Sequence, residues 1–150
     1  MVFRSNMFLA LEQARAAAER GEVPVGAVII APDGTVVAAD GNRTRELNDP
    51  TAHAEVLVIR AACARLGAER LNEYDLYVTL EPCPMCAGAI SNARIRRLYY
   101  AAEDAKSGGV AHGARVFEHR QCHHRPEVYD GVGGAEAEAL LKTFFAGKRA

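Results

Sequence analysis

The strongest constraint on the fold of this chain is the order in which its hydrophobic periodicity switches between the helical and the extended repeat. Residues 5–20 place Met7, Phe8, Leu11, Ala14, Ala17 and Ala18 on one helical face, with Arg and Glu opposite and Gly21 as a stop. Val23–Ile30 reads as a buried strand, Pro32-Asp33-Gly34 as a turn and Thr35–Ala39 as the returning strand. After the polar stretch Gly41–Asn48, Asp49 is suited as an N-cap and Pro50 as a first helical residue. The helix would run from about Thr51 to Leu66 and stop at Gly67. Tyr74–Leu80 follows as a strand, Pro84–Ala93 as a helix and Ile95–Ala101 as a strand. An irregular Gly- and His-rich stretch, 102–126, leads to a short strand at Val128-Tyr129 and a helix over Ala135–Phe145. This order predicts an α/β domain with three layers around a mixed sheet. The whole of 1–150 is expected to be one domain, with no repeat or linker.

Composition removes several classes. At 49% hydrophobic and 25% charged residues the chain is too apolar to be disordered. No apolar run reaches the roughly 18 residues of a membrane span. The N-terminal apolar patch runs directly into charged residues without a signal-peptide core, so a cytoplasmic, reducing location is expected. Four unevenly spaced cysteines in such a compartment point to metal or redox chemistry rather than to a disulfide scaffold. A formal net charge of −1 argues against a general nucleic-acid coat. One window is less balanced. Residues 94–125 hold seven Lys and Arg against three carboxylates, together with four of the five histidines. These cations could contact phosphate; equally, Arg94, Arg96 and Arg97 could be the solvated charge of a strand edge.

The chemistry gathers at two helix starts, Thr51-Ala52-His53-Ala54-Glu55 and Glu81-Pro82-Cys83-Pro84-Met85-Cys86. With Pro84 as the first helical residue, Cys83 is the N-cap and Cys86 lies one turn on. The positive end of the helix dipole then favours thiolates, the form that binds zinc. His53 lies in the first turn of the other helix and can reach the same point if the two helices start side by side. One His and two Cys leave a fourth zinc position for water, the arrangement of a catalytic rather than a structural site. Glu55 is placed to move that water's proton. By itself a Cys-x2-Cys pair is also compatible with a redox pair or a structural zinc. Cys122-His123-His124 is a poor second metal site, because consecutive residues point in different directions. Cys63 reads as a small buried hydrophobe.

His-Ala-Glu combined with Pro-Cys-x2-Cys resembles the signature of the zinc-dependent cytidine/deoxycytidylate deaminase superfamily. Within it the chain resembles the bacterial tRNA-specific adenosine deaminases. The similarity covers Glu22–Val28, Gly41–Arg43, Asn48–Glu55, Leu76–Ile90, Asp104–Lys106 and Phe144–Arg149. The resemblance implies a five-stranded mixed sheet between helical layers, a homodimer whose interface helps build the substrate site, and a Zn²⁺ cofactor. It implies hydrolytic deamination of adenosine to inosine at the wobble position of a tRNA anticodon, usually an arginine tRNA. His53, Cys83 and Cys86 match the zinc ligands and Glu55 the proton shuttle. Asn42 matches a residue that hydrogen-bonds the target base, and Val25, Ala54 and Leu80 match the pocket wall. Asp104 and Lys106 match a loop beside the anticodon stem-loop, and Phe145 and Arg149 a C-terminal helix end that touches the RNA.

Two other functions share these residues. A deaminase of a free guanine- or cytosine-type base or nucleoside would use the same zinc site, but Asn42, the 104–106 loop and Phe144–Arg149 suit a polynucleotide better. A non-catalytic zinc-stabilised RNA-binding module would have no use for Glu55.

Overall fold

The computed structural model describes the backbone of residues 2–149 and the side chains of residues 6–147. The elements are α1 (Val2–Glu19), β1 (Gly26–Ile30), β2 (Val36–Gly41), α2 (Ala54–Leu66), β3 (Asp75–Leu80), α3 (Pro84–Ala93), β4 (Arg97–Ala102), β5 (Glu127–Asp130) and α4 (Gly134–Arg149). One short 3-10 turn, Val116–Glu118, breaks the stretch between β4 and β5. The strands form one mixed sheet in the order β2-β1-β3-β4-β5. β1 is antiparallel to both β2 and β3, whereas β3, β4 and β5 run parallel. Helices α1 and α4 cover one face, packing Met7, Leu11 and Ala137 on Val28, Tyr77 and Tyr99. The other face carries α2 and α3, with Val58, Ala62 and Ile90 against Ile29, Leu76 and Leu98. The three-layer α/β/α architecture with a five-stranded mixed sheet is therefore the observed one. Among the described residues no helix is long and apolar enough to cross a membrane.

Local details differ from the sequence expectation for identifiable reasons. β1 begins at Gly26, not Val23, because the chain turns sharply there: Val25 N–H donates to Val23 O at 2.8 Å. Gly26 and its register partner Gly41 then run under α1. A Cβ at Gly26 would lie 2.5 Å from Ala14 N, and one at Gly41 2.6 Å from Gln13 O, so this helix–sheet approach needs both glycines.

The second helix starts at Ala54, three residues later than the Asp49-Pro50 signal suggested. Asp49 instead closes a turn, its Oδ1 accepting from Thr51 N–H at 2.8 Å and Thr51 Oγ1 at 2.7 Å. The helix N-terminus is capped by a residue distant in sequence. Asn42 Oδ1, from the end of β2, accepts the Ala54 N–H at 2.8 Å. His53 holds the extended N-cap conformation but makes no side-chain cap bond, and Cys83 does the same at α3. Both side chains are thus released from capping at two adjacent helix ends.

The arginines of the basic window are not a strand edge. β4 lies between β3 and β5, and the edges of the sheet are β2 and β5. Arg96 makes a two-pronged pair with Asp75, at 2.9 and 2.8 Å. Arg97 Nε lies 3.5 Å from Glu127 Oε2. Arg94 ends α3 in the left-handed conformation, φ 64°, with its backbone N–H donating to Ile90 O and Ser91 O. The 102–126 stretch is irregular but anchored: Phe117 is buried against the α2–α3 core, and Ser91 Oγ donates to His124 O at 2.8 Å.

Candidate active site

Helix α3 starts just after the C-terminal end of β3, and α2 starts beside Asn42, which follows the C-terminal end of β2. His53 occupies the N-cap position of α2 and Cys83 that of α3, and Cys86 follows one turn on, buried. Their donor atoms all lie within 4.8 Å of one another. His53 Nδ1 is 3.7 Å from Cys83 Sγ and 3.5 Å from Cys86 Sγ. Zinc–sulfur and zinc–nitrogen bonds set at a tetrahedral angle separate N and S by roughly 3.6 Å, so both sulfurs stand at zinc-ligand spacing from the imidazole nitrogen. Among the described residues this is the cluster of metal-ligating type, and Cys122, His123 and His124 form none. Instead, Cys122 Sγ donates to His124 O at 3.0 Å, and His124 Nε2 donates to Ile95 O at 2.6 Å. Cys63, partly buried, packs on the core, and burial pushes its thiol up.

The electrostatics of the cluster suit a cation. The Cys86 thiol hydrogen-bonds Cys83, and together with the bond to His53 this brings Cys83 down to about 4 despite burial. Cys86, whose proton is held in that bond, is pushed up, with burial and the nearby Glu55 charge adding to the effect. His53 is raised, first by its bond to Cys83. Glu55 is 4% exposed, and burial pushes its carboxyl up to about 7, even though its own N–H and His53 favour the charged form. A carboxyl poised near neutrality can both accept and return a proton.

A cavity of about 240 Å³ opens on this cluster, lined by His53, Glu55 and Cys83 with Val25, Asn42 and Leu80. Ala54 lies behind it, fully buried, with its N–H tying down Asn42 Oδ1 and leaving the amide NH2 end for the cavity. Asp104 reaches the rim, one carboxylate oxygen accepting the Lys106 and Ser107 N–H groups. A larger cavity of about 660 Å³ adjoins the first, sharing Val23, Leu80, Asp104 and Ser107 with it. Lys106 and Phe145 lie on its wall. The Arg149 side chain lies outside the described residues.

Sequence reasoning gave no part to two buried carboxylates that flank the cavity. Glu22, 1% exposed, accepts from the Arg45 and Glu46 N–H groups at 3.1 and 2.8 Å and from Thr44 Oγ1, holding the loop after Asn42. Glu81, 2% exposed, holds the 104–112 loop. The two donor sets lie 22 to 31 residues downstream, so no local pattern announces them. A charged residue between Gly21 and Val23 at the mouth of a strand was the available signal. Burial alone would raise Glu22, yet its hydrogen bonds and the nearby Arg20 prevail and its carboxyl is lowered. A lowered folded pKa means stability that is present above the unfolded pKa and lost as pH falls through the folded one. Denaturant midpoints should therefore fall between pH 6 and pH 3 more steeply for the wild type than for Glu22→Gln. Parallel profiles would show that Glu22 is not held as a carboxylate.

The chain matches the MafB19-like deaminase family over residues 3–149. It is 61% identical over 143 residues to the tRNA-specific adenosine deaminase of Agrobacterium fabrum, spanning 95% of this chain and 93% of that one. A solved structure from a study of A-to-I editing by tRNA:A34 deaminases at the wobble position superposes with a TM-score of 0.89. It is 60% identical and covers 91% of this chain and 99% of that one. The guanine deaminase of Nitrosomonas europaea superposes at 0.79, with 25% identity over 95% of this chain and 84% of its own. The chain belongs to the MafB19-like deaminase family and, within it, with the tRNA-specific adenosine deaminases.

Proposed function

We propose that this chain hydrolyses adenosine to inosine at the wobble position of a tRNA anticodon, with an arginine tRNA as the expected bacterial target. The observation that carries the reading is the placement of a buried carboxyl, Glu55, beside a three-donor cluster at the floor of a base-sized cavity. His53, Cys83 and Cys86 would hold zinc; when bound, that ion supplies the Lewis acidity that makes water nucleophilic near neutral pH. Glu55 takes the proton from the attacking water and delivers it to N1 of adenine as oxygen adds to C6. It then relays the second proton to the exocyclic nitrogen as the C6–N bond breaks, so that ammonia leaves and inosine remains. The Asn42 amide hydrogen-bonds the base edge, while Val25 and Leu80 pack its faces and Ala54 steadies Asn42.

The adjoining cavity supports a polynucleotide as the substrate. A free base needs only the small cavity, whereas a nucleotide chain also needs room for its neighbours. Lys106, exposed beside Asp104, would meet phosphate there, and Phe145 would stack on a base, with Arg149 continuing the basic end of α4. A single-stranded anticodon loop makes extrusion of the base inexpensive. The reading includes a homodimer and a location in the cytoplasm, where tRNA is processed. Ammonia release from an unmodified anticodon stem-loop, compared with guanine, cytidine and adenosine, tests it. Release from the stem-loop and little from the small molecules is expected. Release from guanine with none from the stem-loop contradicts it.

A further inference from the structure

The stretch from Asp104 to His112 has no regular secondary structure, yet its first residues line the cavities: Asp104 and Ser107 both of them, Ala105 and Lys106 the larger one. Its position depends on one carboxylate. Glu81 Oε1 accepts the Asp104 N–H at 3.1 Å, and Oε2 accepts the N–H groups of Val110, Ala111 and His112 at 3.1, 2.9 and 3.1 Å. His112 Nδ1 then lies 2.8 Å from Oε1 and closes the set, with the Glu81 side chain wholly buried and the imidazole about one-third exposed. Two glycines show how closely the loop is drawn in. A Cβ on Gly108 would meet Glu81 Oε2, and one on Gly109 would lie 2.6 Å from Pro84 N and 2.8 Å from the Cys83 carbonyl carbon. Gly109 N–H also donates to Pro82 O at 2.8 Å. The loop is thus fastened directly to the segment that starts α3.

We infer that the Glu81–His112 pair is a positioning device for substrate binding: it holds the 104–112 loop against the start of α3 and so sets where Asp104, Lys106 and Ser107 stand. The inference rests on the RNA reading for what those three residues meet. Glu81 itself cannot be probed cleanly, since its loss leaves four backbone N–H groups, one of them buried and three partly buried, without their acceptor and endangers the fold. His112 can be. It supplies one donor of five, and removal leaves the backbone bonds to Glu81 in place. Asn at this position keeps a donor nitrogen near the place of Nδ1.

Because the loop contacts parts of the substrate that do not react, its displacement should weaken ground-state and transition-state binding alike. In His112→Ala, KM for the stem-loop should rise about tenfold with kcat within about twofold. The metal content should be unchanged, and His112→Asn should restore most of the loss. Hydrogen exchange read by mass spectrometry gives an arm independent of substrate. The 104–112 amides should exchange at least about tenfold faster in His112→Ala, with the β3 and β4 amides unaltered. An unchanged KM, a fall in kcat alone, a failed Asn rescue or unchanged loop exchange would each overturn the inference. If the wild type does not turn over the stem-loop at all, the RNA reading fails; the exchange arm then decides whether the pair positions the loop.

Discussion

Glu55→Gln should abolish deamination while leaving a folded chain that still takes up its metal. The substitution preserves the shape of a buried side chain on the cavity wall and removes only its capacity to accept and return a proton. Asn42, the three candidate ligands and the helix start at Ala54 are untouched. General acid–base catalysis is worth about 10² to 10⁴ in rate, and this reaction asks one carboxyl to move protons in both halves. A loss on the order of 10³ or more in kcat, with stem-loop binding within a few-fold, is the expected result. Inosine formation followed in parallel with zinc content and stem-loop affinity checks it. Activity within about tenfold of wild type would mean that another group carries the proton.

The second large effect is on the metal. Cys83→Ala should purify with almost no zinc, where the wild type is expected to carry one ion per chain. Only His53 and Cys86 would remain, and two ligands hold zinc poorly. Because His53 lies at the start of α2 and Cys83 and Cys86 at the start of α3, an ion held by them would tie the two helix starts together, and its loss should also lower the melting temperature. At a free metal concentration one hundred times Kd, bound metal stabilises by about 2.7 kcal/mol. For a chain of 150 residues that corresponds to roughly 5–10 °C. Chelating the wild type should shift it by the same amount and leave Cys83→Ala unmoved. Full zinc content in the variant would show that the ligand set is wrong.

Much of the fold was legible because its signals are local. The α1 periodicity, the Pro32-Asp33-Gly34 turn, Gly67 at the end of α2 and Pro84 at the start of α3 each act within a few residues. The sequence misleads where a distant group takes over a local role. Asp49-Pro50 has the chemistry of a helix start, but Asn42 Oδ1 at Ala54 N–H moves that start to the place where His53 is free to turn inward. The edge reading of Arg96 and Arg97 failed for a related reason. Strand order is a non-local property, and the sheet places β5 outside β4, where Asp75 and Glu127 pair with these cations.

The same division runs through the site. The spacing of His53, Glu55, Cys83 and Cys86 is a local pattern at two helix starts, so chemistry alone draws attention to it. Glu22 and Glu81 lack such a pattern. Their partners are backbone N–H groups whose positions exist only once the loops are closed. A buried carboxylate surrounded by main-chain donors is a feature of the tertiary structure, and here two of them shape the rim of the cavity.

The most direct test of the central claim is to map inosine at single-nucleotide resolution. Unmodified tRNA would be incubated with the wild type and with Glu55→Gln, reverse-transcribed and sequenced. Proposed here is conversion of A34, the adenosine named for the related deaminases, by the wild type alone, with every other adenosine unread as guanosine. Full-length tRNA left unconverted by a zinc-loaded wild type that releases ammonia from free guanine would contradict it.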